Sequence, residues 1–495
     1  MSLTLEANRW KAICIVLAIY VTTAIASPAQ TFKTLATFNG TDGVDPINSL
    51  AQGTDGNFYG TAGAGGHGGS NCFADGCGTV FKSTQAGALI AKYRFCATGC
   101  ADGLYPQGLV LSNDGNFYGV TYYGGNYYSS WCELWGCGTV FKITPKGNFS
   151  TLYSFCSDQV SCFDGSYGNS QLVQGADGNF YGTTREAGAN GGGTVFKITP
   201  AGTLTTLYSF CSQPSCFDGS TPQGVILASD GNFYGTTNDG GTSQDGTVFK
   251  LTPDGALTTL HSFSGADGSL PNGQLIQATN GDLYGMTWDG GGGFQYFGTV
   301  FKITLDGTLT TLHRFSGADG WAPAGRMVQA TNGNLYGVTS LGGTSSQGTV
   351  FTISLAGILT TLYNFCSQTS CDDGDEPLGG LTQGTDGLLY GTTSLGGGSR
   401  CNESGCGSVF SLDVGLTLFV SLVRDPAKVG QRTVVLGQGL TGTSGVSFNG
   451  TPASYTVQSD TFLVATVPNG ATTGFVTVTT PNGVLTSNKP FQVVQ

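Results

Sequence analysis

The chain has 495 residues, room for more than one domain at roughly 150 residues each, and glycine and proline make up about a fifth of it. Aromatic residues at 11% supply too much buriable surface for a disordered protein, and only 10% charged residues argues against long surface helices and for a glycine-punctuated β protein. A net charge of −12 excludes non-specific nucleic-acid binding, which needs a basic footprint, and leaves neutral glycans, cations or basic partners open.

Residues 1–26 read as a signal peptide. Arg9 and Lys11 precede an apolar run from Ala12 to Val21, and Ala24-Ile25-Ala26 offers a small-x-small cleavage site. The run is short for a membrane span, although a retained anchor is the alternative. Cys14 follows Lys-Ala-Ile, which is not a lipobox, and no second spanning segment follows. The expectation is an exported protein, secreted or held at the cell surface, with no transmembrane segment after signal removal.

From residue 31 to 412 one unit recurs. Its marker is Gly-Thr-Val-Phe, beginning at Gly78, Gly138, Gly193, Gly246, Gly298 and Gly348, with Gly-Ser-Val-Phe at Gly407. A period of 50 to 60 residues is that of propeller blades rather than helical solenoids. Each unit carries four β-like runs, here called first to fourth. In residues 273–315 they are Gly-Gln-Leu-Ile-Gln-Ala, Asp-Leu-Tyr-Gly-Met-Thr, Gly-Thr-Val-Phe-Lys-Ile-Thr and Thr-Leu-Thr-Thr-Leu-His-Arg-Phe. The first and second runs join through Asp-Gly or Asn-Gly (Asp55, Asp114, Asp177, Asp230, Asn280, Asn332, Asp386), a strong hairpin signal. The Asp/Asn exchange implies a need for left-handed backbone at that residue rather than for charge. An orphan fourth-type run, Thr31 to Phe38, precedes the first unit, and the seventh unit lacks its own near Leu412. Each end alone would leave an open sheet edge. The pattern therefore predicts an all-β, seven-bladed β-propeller of four-stranded blades, the N-terminal strand closing the last blade. An open β-solenoid is the alternative.

After Asp413 the repeat markers cease. Residues 417–495 show short alternating runs such as Thr433–Leu436 and Phe475–Thr479 between Gly, Pro and Asn turns, the pattern of a small β-sandwich.

The string Phe-x-Gly-x-Asp-Gly, Asp-Gly-Asn-x-Tyr-Gly-Thr-Thr, Gly-Gly, Gly-Thr-Val-Phe-Lys-Ile-Thr resembles the GloVer-type tandem repeat of bacterial surface proteins, over roughly residues 31–412. That resemblance implies an extracellular protein with no assigned activity. Residues 417–495 resemble an IPT/TIG domain, an immunoglobulin-like module, through Val429-Gly430, Val434–Leu440, Val446–Gly450 and Val467-Pro468 to Val478. The two resemblances imply a cell-surface role.

Beyond Cys14, the cysteines fall into close pairs: Cys72/Cys77, Cys96/Cys100, Cys132/Cys137, Cys156/Cys162, Cys211/Cys216, Cys366/Cys371 and Cys401/Cys406. None is C-x-x-C, and the histidines number three (His67, His261, His313), so local disulfides in an oxidising compartment are favoured over zinc. Cysteine-bearing loops read like Phe210–Gly219, whereas Phe263–Gly268 and Phe315–Gly320 lose both cysteines and shorten together. All pairs fall in the second-to-third loops or the loops between units, which share one face; the other face has only short turns. Rigidly placed loops are where binding usually sits.

The tryptophans point to the same face. Trp131, Trp135 and Trp288 fall in second-to-third loops and Trp321 in a loop between units, joined by Tyr105, Tyr122, Tyr123, Tyr127, Tyr128, Phe294 and Tyr296. Exposed rings would stack on sugar faces or anchor a protein partner; the alternative is that they pack on one another. Asp42, Asp102, Asp164, Asp218, Asp267, Asp319 and Asp373 occupy one position between units, each followed by Gly and none replaced by Asn. Either they accept loop N–H bonds or they hold calcium. The Tyr of Tyr-Gly (Tyr59, Tyr118, Tyr181, Tyr234, Tyr284, Tyr336, Tyr390) reads as packing between blades, and His261 and His313 replace the tyrosines of other fourth runs. No nucleophile elbow or nucleophile-serving histidine is present. Among Glu133, Glu186, Asp239 and Asp289 nothing singles out a pair for glycoside hydrolysis.

The expected function is a non-catalytic binding or surface-interaction protein for a glycan or an extracellular protein, with no cofactor. A polysaccharide-cleaving lyase or glycosidase and a purely structural matrix protein are the alternatives. The last repeat strand ends on the short-turn face, so the C-terminal domain should emerge opposite the aromatic face.

Overall fold

A computed structural model describes residues 30–494, apart from 67–71, 73–75, 98, 128, 130–131, 133–134, 293–295, 399–400 and 402–404. The signal-peptide reading and the candidates His67, Tyr128, Trp131, Glu133 and Phe294 lie outside the described residues.

Among the described residues, 31–413 form seven antiparallel sheets of four or five strands, an all-β, propeller-like repeat. The fifth unit is typical: Ser269–Pro271 and Ile276–Gln277 share the inner edge, followed outward by Leu283–Asp289, Thr299–Ile303 and Leu309–Arg314. The third strand carries Thr-Val-Phe-Lys-Ile, with all but Lys302 buried. Val300 and Phe301 point to opposite faces and both are fully buried, because neighbouring units cover both sides of each sheet.

The seams explain the repeated motifs. Tyr59 packs on Phe117, Tyr118 on Phe180 and Tyr181 on Phe233, with ring centroids 4.1–4.4 Å apart, each pair crossing from one unit to the next. The Gly after each tyrosine makes room within its own unit: a Cβ on Gly60 would meet the Phe81 ring at 2.5 Å. Motif Tyr therefore joins units, and motif Gly seats the Phe of Gly-Thr-Val-Phe.

The chain ends meet as the orphan strand implies. Thr31–Thr37 pairs antiparallel with Ser408–Asp413 and becomes the outer strand of the last repeated sheet. The last sheet then packs on the first through Tyr390 and Phe58, 3.9 Å apart, and Gln52 donates to Thr385 Oγ1.

Residues 421–494 form two four-stranded sheets and a short parallel pair. One sheet is built on Arg432–Leu436 and Phe462–Thr466, the other on Gly445–Phe448 and Val476–Thr480. Val435, Leu463, Ala465, Val476 and Val478 bury between them. This module sits on the short-turn face. Val434 donates its N–H to Asn113 Oδ1, Thr461 Oγ1 bonds the Thr54 carbonyl, and Phe419 donates to the Thr385 carbonyl. Val434 and Leu436 share one buried cluster with Leu109 and Leu111 of the repeats. The module thus covers the face opposite the long loops, as its point of departure implies.

The hairpin turns correct one expectation. Asp55 and its equivalents are not left-handed; the glycine that follows is, as at Gly56 and Gly281. The Asp or Asn instead accepts the N–H two residues on, at 3.0–3.2 Å in all seven turns. The position needs an acceptor oxygen, which Asp and Asn both carry.

Candidate binding face

The loop face is held first by disulfides. All seven expected pairs are bonded: Cys72–Cys77, Cys96–Cys100, Cys132–Cys137, Cys156–Cys162, Cys211–Cys216, Cys366–Cys371 and Cys401–Cys406. Adjacent bridges meet: the sulfurs of Cys72, Cys77 and Cys96 lie within 4.8 Å of one another, as do those of Cys132, Cys137 and Cys156. The within-unit loop and the between-unit loop are therefore stapled side by side.

The seven aspartates form the second layer of support. Asp218 accepts the Tyr208 hydroxyl at 2.8 Å, the Ser212 N–H and hydroxyl, and the Gln213 N–H. Asp373 repeats this with Tyr363, Ser367 and Gln368, and both aspartates are fully buried. Asp164 takes Tyr153 and the Cys156 N–H, Asp102 takes Tyr93 and the Cys96 N–H, and Asp42 takes the Asn39 N–H. In the cysteine-free loops, His261 and His313 stand in for tyrosine and bind Asp267 and Asp319 at 2.8 Å. Burial alone would raise the Asp267 carboxyl, but the Ser264 N–H and the His261 imidazole hold it below the usual carboxylate range. The carboxylates thus serve the loop's own donors, and the histidines belong to this framework.

The aromatic candidates divide. Tyr122 and Tyr123 end the second strand of their unit, and Trp288 lies at the equivalent end of its own, so these three stand at strand ends rather than in loops. Tyr122 stacks on Tyr167 at 4.9 Å and packs edge-on with Tyr123 and Tyr105. Burial pushes the Tyr122 hydroxyl up to about 12. Trp135 and Tyr127 are half-buried, packed against neighbouring cores. Trp321, the first residue of an inner strand, is 40% exposed and Tyr296 is 58% exposed. Among the described candidates, these last two are the open rings.

Two exposed rings escaped the sequence reading: Phe163, 59% exposed, and Phe217, 44% exposed. Both follow the second cysteine of a between-unit loop, where the equivalent loops have Ala101 and Asp372. A large ring where equivalent loops carry Ala or Asp was the available signal. Phe163 lines a groove of about 460 Å³ with Tyr153, Asp158, Asp164 and Ser209, between the second and third units.

A ring of strained residues also went unrecognised. Asp45, Tyr105, Tyr167, Thr221, Leu270, Ala322 and Glu376 stand at one repeat position where the chain enters the inner edge of each sheet, all with φ between 51° and 62°. Each donates its N–H to a carbonyl of the preceding unit, as Tyr105 does to Cys77 and Asp45 to Cys406. Left-handed backbone costs a non-glycine residue roughly 1–2 kcal/mol and is held here by that crossing bond. Asp45 accepts the Tyr105 hydroxyl at 3.3 Å. Burial, offset in part by that bond and reinforced by the charge of Glu376, pushes the Asp45 carboxyl up to about 6. Asp375, beside Glu376, is also raised to about 6 by burial and that same charge. Asp45, Asp375 and Glu376 thus form an acidic edge that runs into the tyrosine cluster. Glu186, Asp239 and Asp289 end the second strands of three different units, one in each.

A family model described as the Gloeobacter/Verrucomicrobia repeat matches residues 20–161, 131–296 and 277–479. No curated protein matches the chain. Among solved structures, the extracellular domain of a candidate hybrid two-component system, BT3049 from B. thetaiotaomicron, aligns at 11% identity and TM-score 0.48, over 91% of this chain and 53% of that one. This chain therefore spans about half the length of that protein. A Bacteroides thetaiotaomicron VPI-5482 protein of unknown function aligns at 13% identity and TM-score 0.42, over 78% of this chain and 76% of that one. A candidate oxidoreductase (glucose dehydrogenase) from Thermus thermophilus aligns at 15% identity and TM-score 0.39, over 78% of this chain and all of the other.

Proposed function

The chain belongs to the Gloeobacter/Verrucomicrobia repeat family, and on that premise we propose that it is an exported, non-catalytic binding protein. In this reading, residues 1–26 are a cleaved signal peptide and residues 31–412 a seven-bladed β-propeller. Residues 417–495 are an immunoglobulin-like IPT/TIG module, and the loop face takes a glycan. The seven disulfides fit an oxidising compartment outside the cytoplasm. Among the described residues, no helix is long and apolar enough to cross a membrane.

The observation that carries the reading is the division of the two faces. The C-terminal module covers the short-turn face, so a ligand meets the stapled loops, where Phe163, Phe217, Tyr296 and Trp321 stand exposed. Flat rings beside carboxylates suit a sugar, whose C–H face stacks while its hydroxyls bond to acceptors. The aspartate ring is read as a lock on the loops rather than a calcium site.

Tryptophan fluorescence of the mature protein, titrated with neutral and acidic polysaccharides, tests this. A saturable shift that weakens at least tenfold on Phe163→Ala or Trp321→Ala is expected. No shift with any polysaccharide would sink the glycan reading and favour a protein partner. One observation favours a second reading, polysaccharide cleavage: the raised carboxyls of Asp45 and Asp375 lie beside Glu376 and Tyr105. In that case new reducing or unsaturated ends would form and Asp45→Asn would abolish them while binding persisted.

A further inference from the structure

The inner strands leave a cavity of about 70 Å³ between them, lined from the first, second, third, fifth, sixth and seventh units. At the lining position just before the buried residue of each inner strand stand Ser49, Gly108, Gln171, Gln274, Arg326 and Gly380. Arg326 is the charged member. The cations of neighbouring repeats behave differently: Lys82, Lys142 and Lys250 each meet a turn aspartate within 3.1 Å. Among the described residues, no carboxylate pairs with Arg326, and no acceptor takes its guanidinium protons. The side chains facing it across the cavity, Asn48, Ser49, Ser170, Gln171 and Gln274, are all neutral.

Their amide N–H groups are already engaged within the protein. Gln171 donates to the Leu109 carbonyl, Gln274 to the Gln171 and Val225 carbonyls, and Asn48 to Thr61 and the Pro106 carbonyl. A second polar group is left over: the Ser170 hydroxyl is buried with no partner among the described residues. Burial pulls the guanidinium pKa down with no anionic side chain to oppose it. An arginine nevertheless stays protonated in proteins, so its charge calls for an anion or water.

We propose that this axial cavity is an anion site, in which Arg326 binds a small oxyanion and the Ser170 hydroxyl serves as a second donor. The guanidinium presents paired N–H groups in a planar fork that matches a carboxylate or phosphate edge. A volume of about 70 Å³ has room for a small oxyanion such as acetate or inorganic phosphate. The net charge of −12 opposes anion capture in general, so specific binding rests on a cation placed in the cavity, Arg326. The site is independent of the loop-face reading. Its ligand is either a free inorganic ion or the carboxylate of a larger acid, which share this chemistry.

The test uses the full mature chain in Tris chloride, with thermal unfolding followed against inorganic phosphate and separately against acetate at matched ionic strength. A saturable rise in midpoint of about 2 °C or more is expected for the wild type. Arg326→Met should remove it, and Arg326→Lys should weaken it at least tenfold in half-saturating concentration. A response to phosphate alone marks a site for free inorganic ions, whereas a response to acetate marks one for a carboxylate. A flat wild-type midpoint with both, or an equal rise in Arg326→Met, overturns the proposal. Should Arg326→Met fail to fold, calorimetric titration of the wild type decides: one site per chain supports the proposal, and absence of binding heat with both anions overturns it.

Discussion

Residues at one repeat position substitute for one another in ways that separate charge from shape. At the hairpin turn, Tyr59, Tyr118 and Tyr234 donate to an aspartate, whereas Asn280 and Asn332 reverse the bond and donate to Tyr284 and Tyr336. At the fourth strand, His261 and His313 fill the place of Tyr208 and Tyr363 on the loop aspartate. His261→Tyr is therefore expected to change unfolding free energy by less than about 1 kcal/mol. Asp218→Ala strands the donors of Tyr208, Ser212 and Gln213 and should cost about 2–4 kcal/mol. Denaturant titration measures both, and EDTA should leave the midpoint unchanged if the aspartates bind only loop donors.

The acids beside the tyrosine cluster give the pH dependence. Asp45 and Asp375, raised to about 6 mainly by burial, keep protons in the folded protein that the unfolded chain has released above about 4. Their contribution to stability is fully present below about pH 4 and is lost as pH rises through about 6. Asp114 acts oppositely: burial alone would raise it, but Asn116 and Lys142 hold it at about 2, so its contribution is lost as pH falls from about 4. Asp375→Asn is expected to raise stability at pH 7.5 by roughly 1–3 kcal/mol and to leave it unchanged at pH 4. Thermal unfolding at the two pH values checks the sign.

At the scale of the element, each staple closes a short loop: Cys211 and Cys216 lie five residues apart. Closing so short a loop contributes about 2 kcal/mol or less by chain entropy, so its effect is mainly on local order. Replacing Phe210–Gly219 by the six-residue Phe-Ser-Gly-Ala-Asp-Gly of Phe263–Gly268 should therefore cost no more than that. The Asp218 locks would be kept in the form that Ser264 gives Asp267. Circular dichroism melts and amide exchange in the between-unit loops test this. A global loss well above 2 kcal/mol would mean that the bridges also carry the seam between units.

For the whole molecule, the decisive feature is which face the C-terminal module covers. Its Val434 and Leu436 are nearly fully buried in a cluster with Leu109 and Leu111. Val434→Asp would place an unpaired charge there, costing about 3 kcal/mol or more and loosening the docking. Amide exchange should then rise at the turns around Thr54, Asn113 and Thr385, while the loop face keeps its protection. Equal exposure of the loop face would show that the two faces are not independent.

Much of this architecture was legible in the chain because a repeat reports on itself. Gly-Thr-Val-Phe and Tyr-Gly recur since each unit buries both faces against like neighbours, and the unpaired run at Thr31–Phe38 announces its partner at Ser408–Asp413. Cysteine pairs were readable for the same local reason, their partners lying four to six residues apart. Solvent exposure was not readable. Tyr122 and Tyr167 stack on each other while Phe163 stands open, because exposure depends on which loops meet across units. Nor was the surrounding of Arg326, a single position in one unit, whose neutral neighbours come from the first, third and fifth units. Sequence by itself determined the repeat, its staples and its closing strand, since these rest on local pairing and period. Only the tertiary structure decided which side chains face a ligand, because that depends on how separate units converge on a common axis.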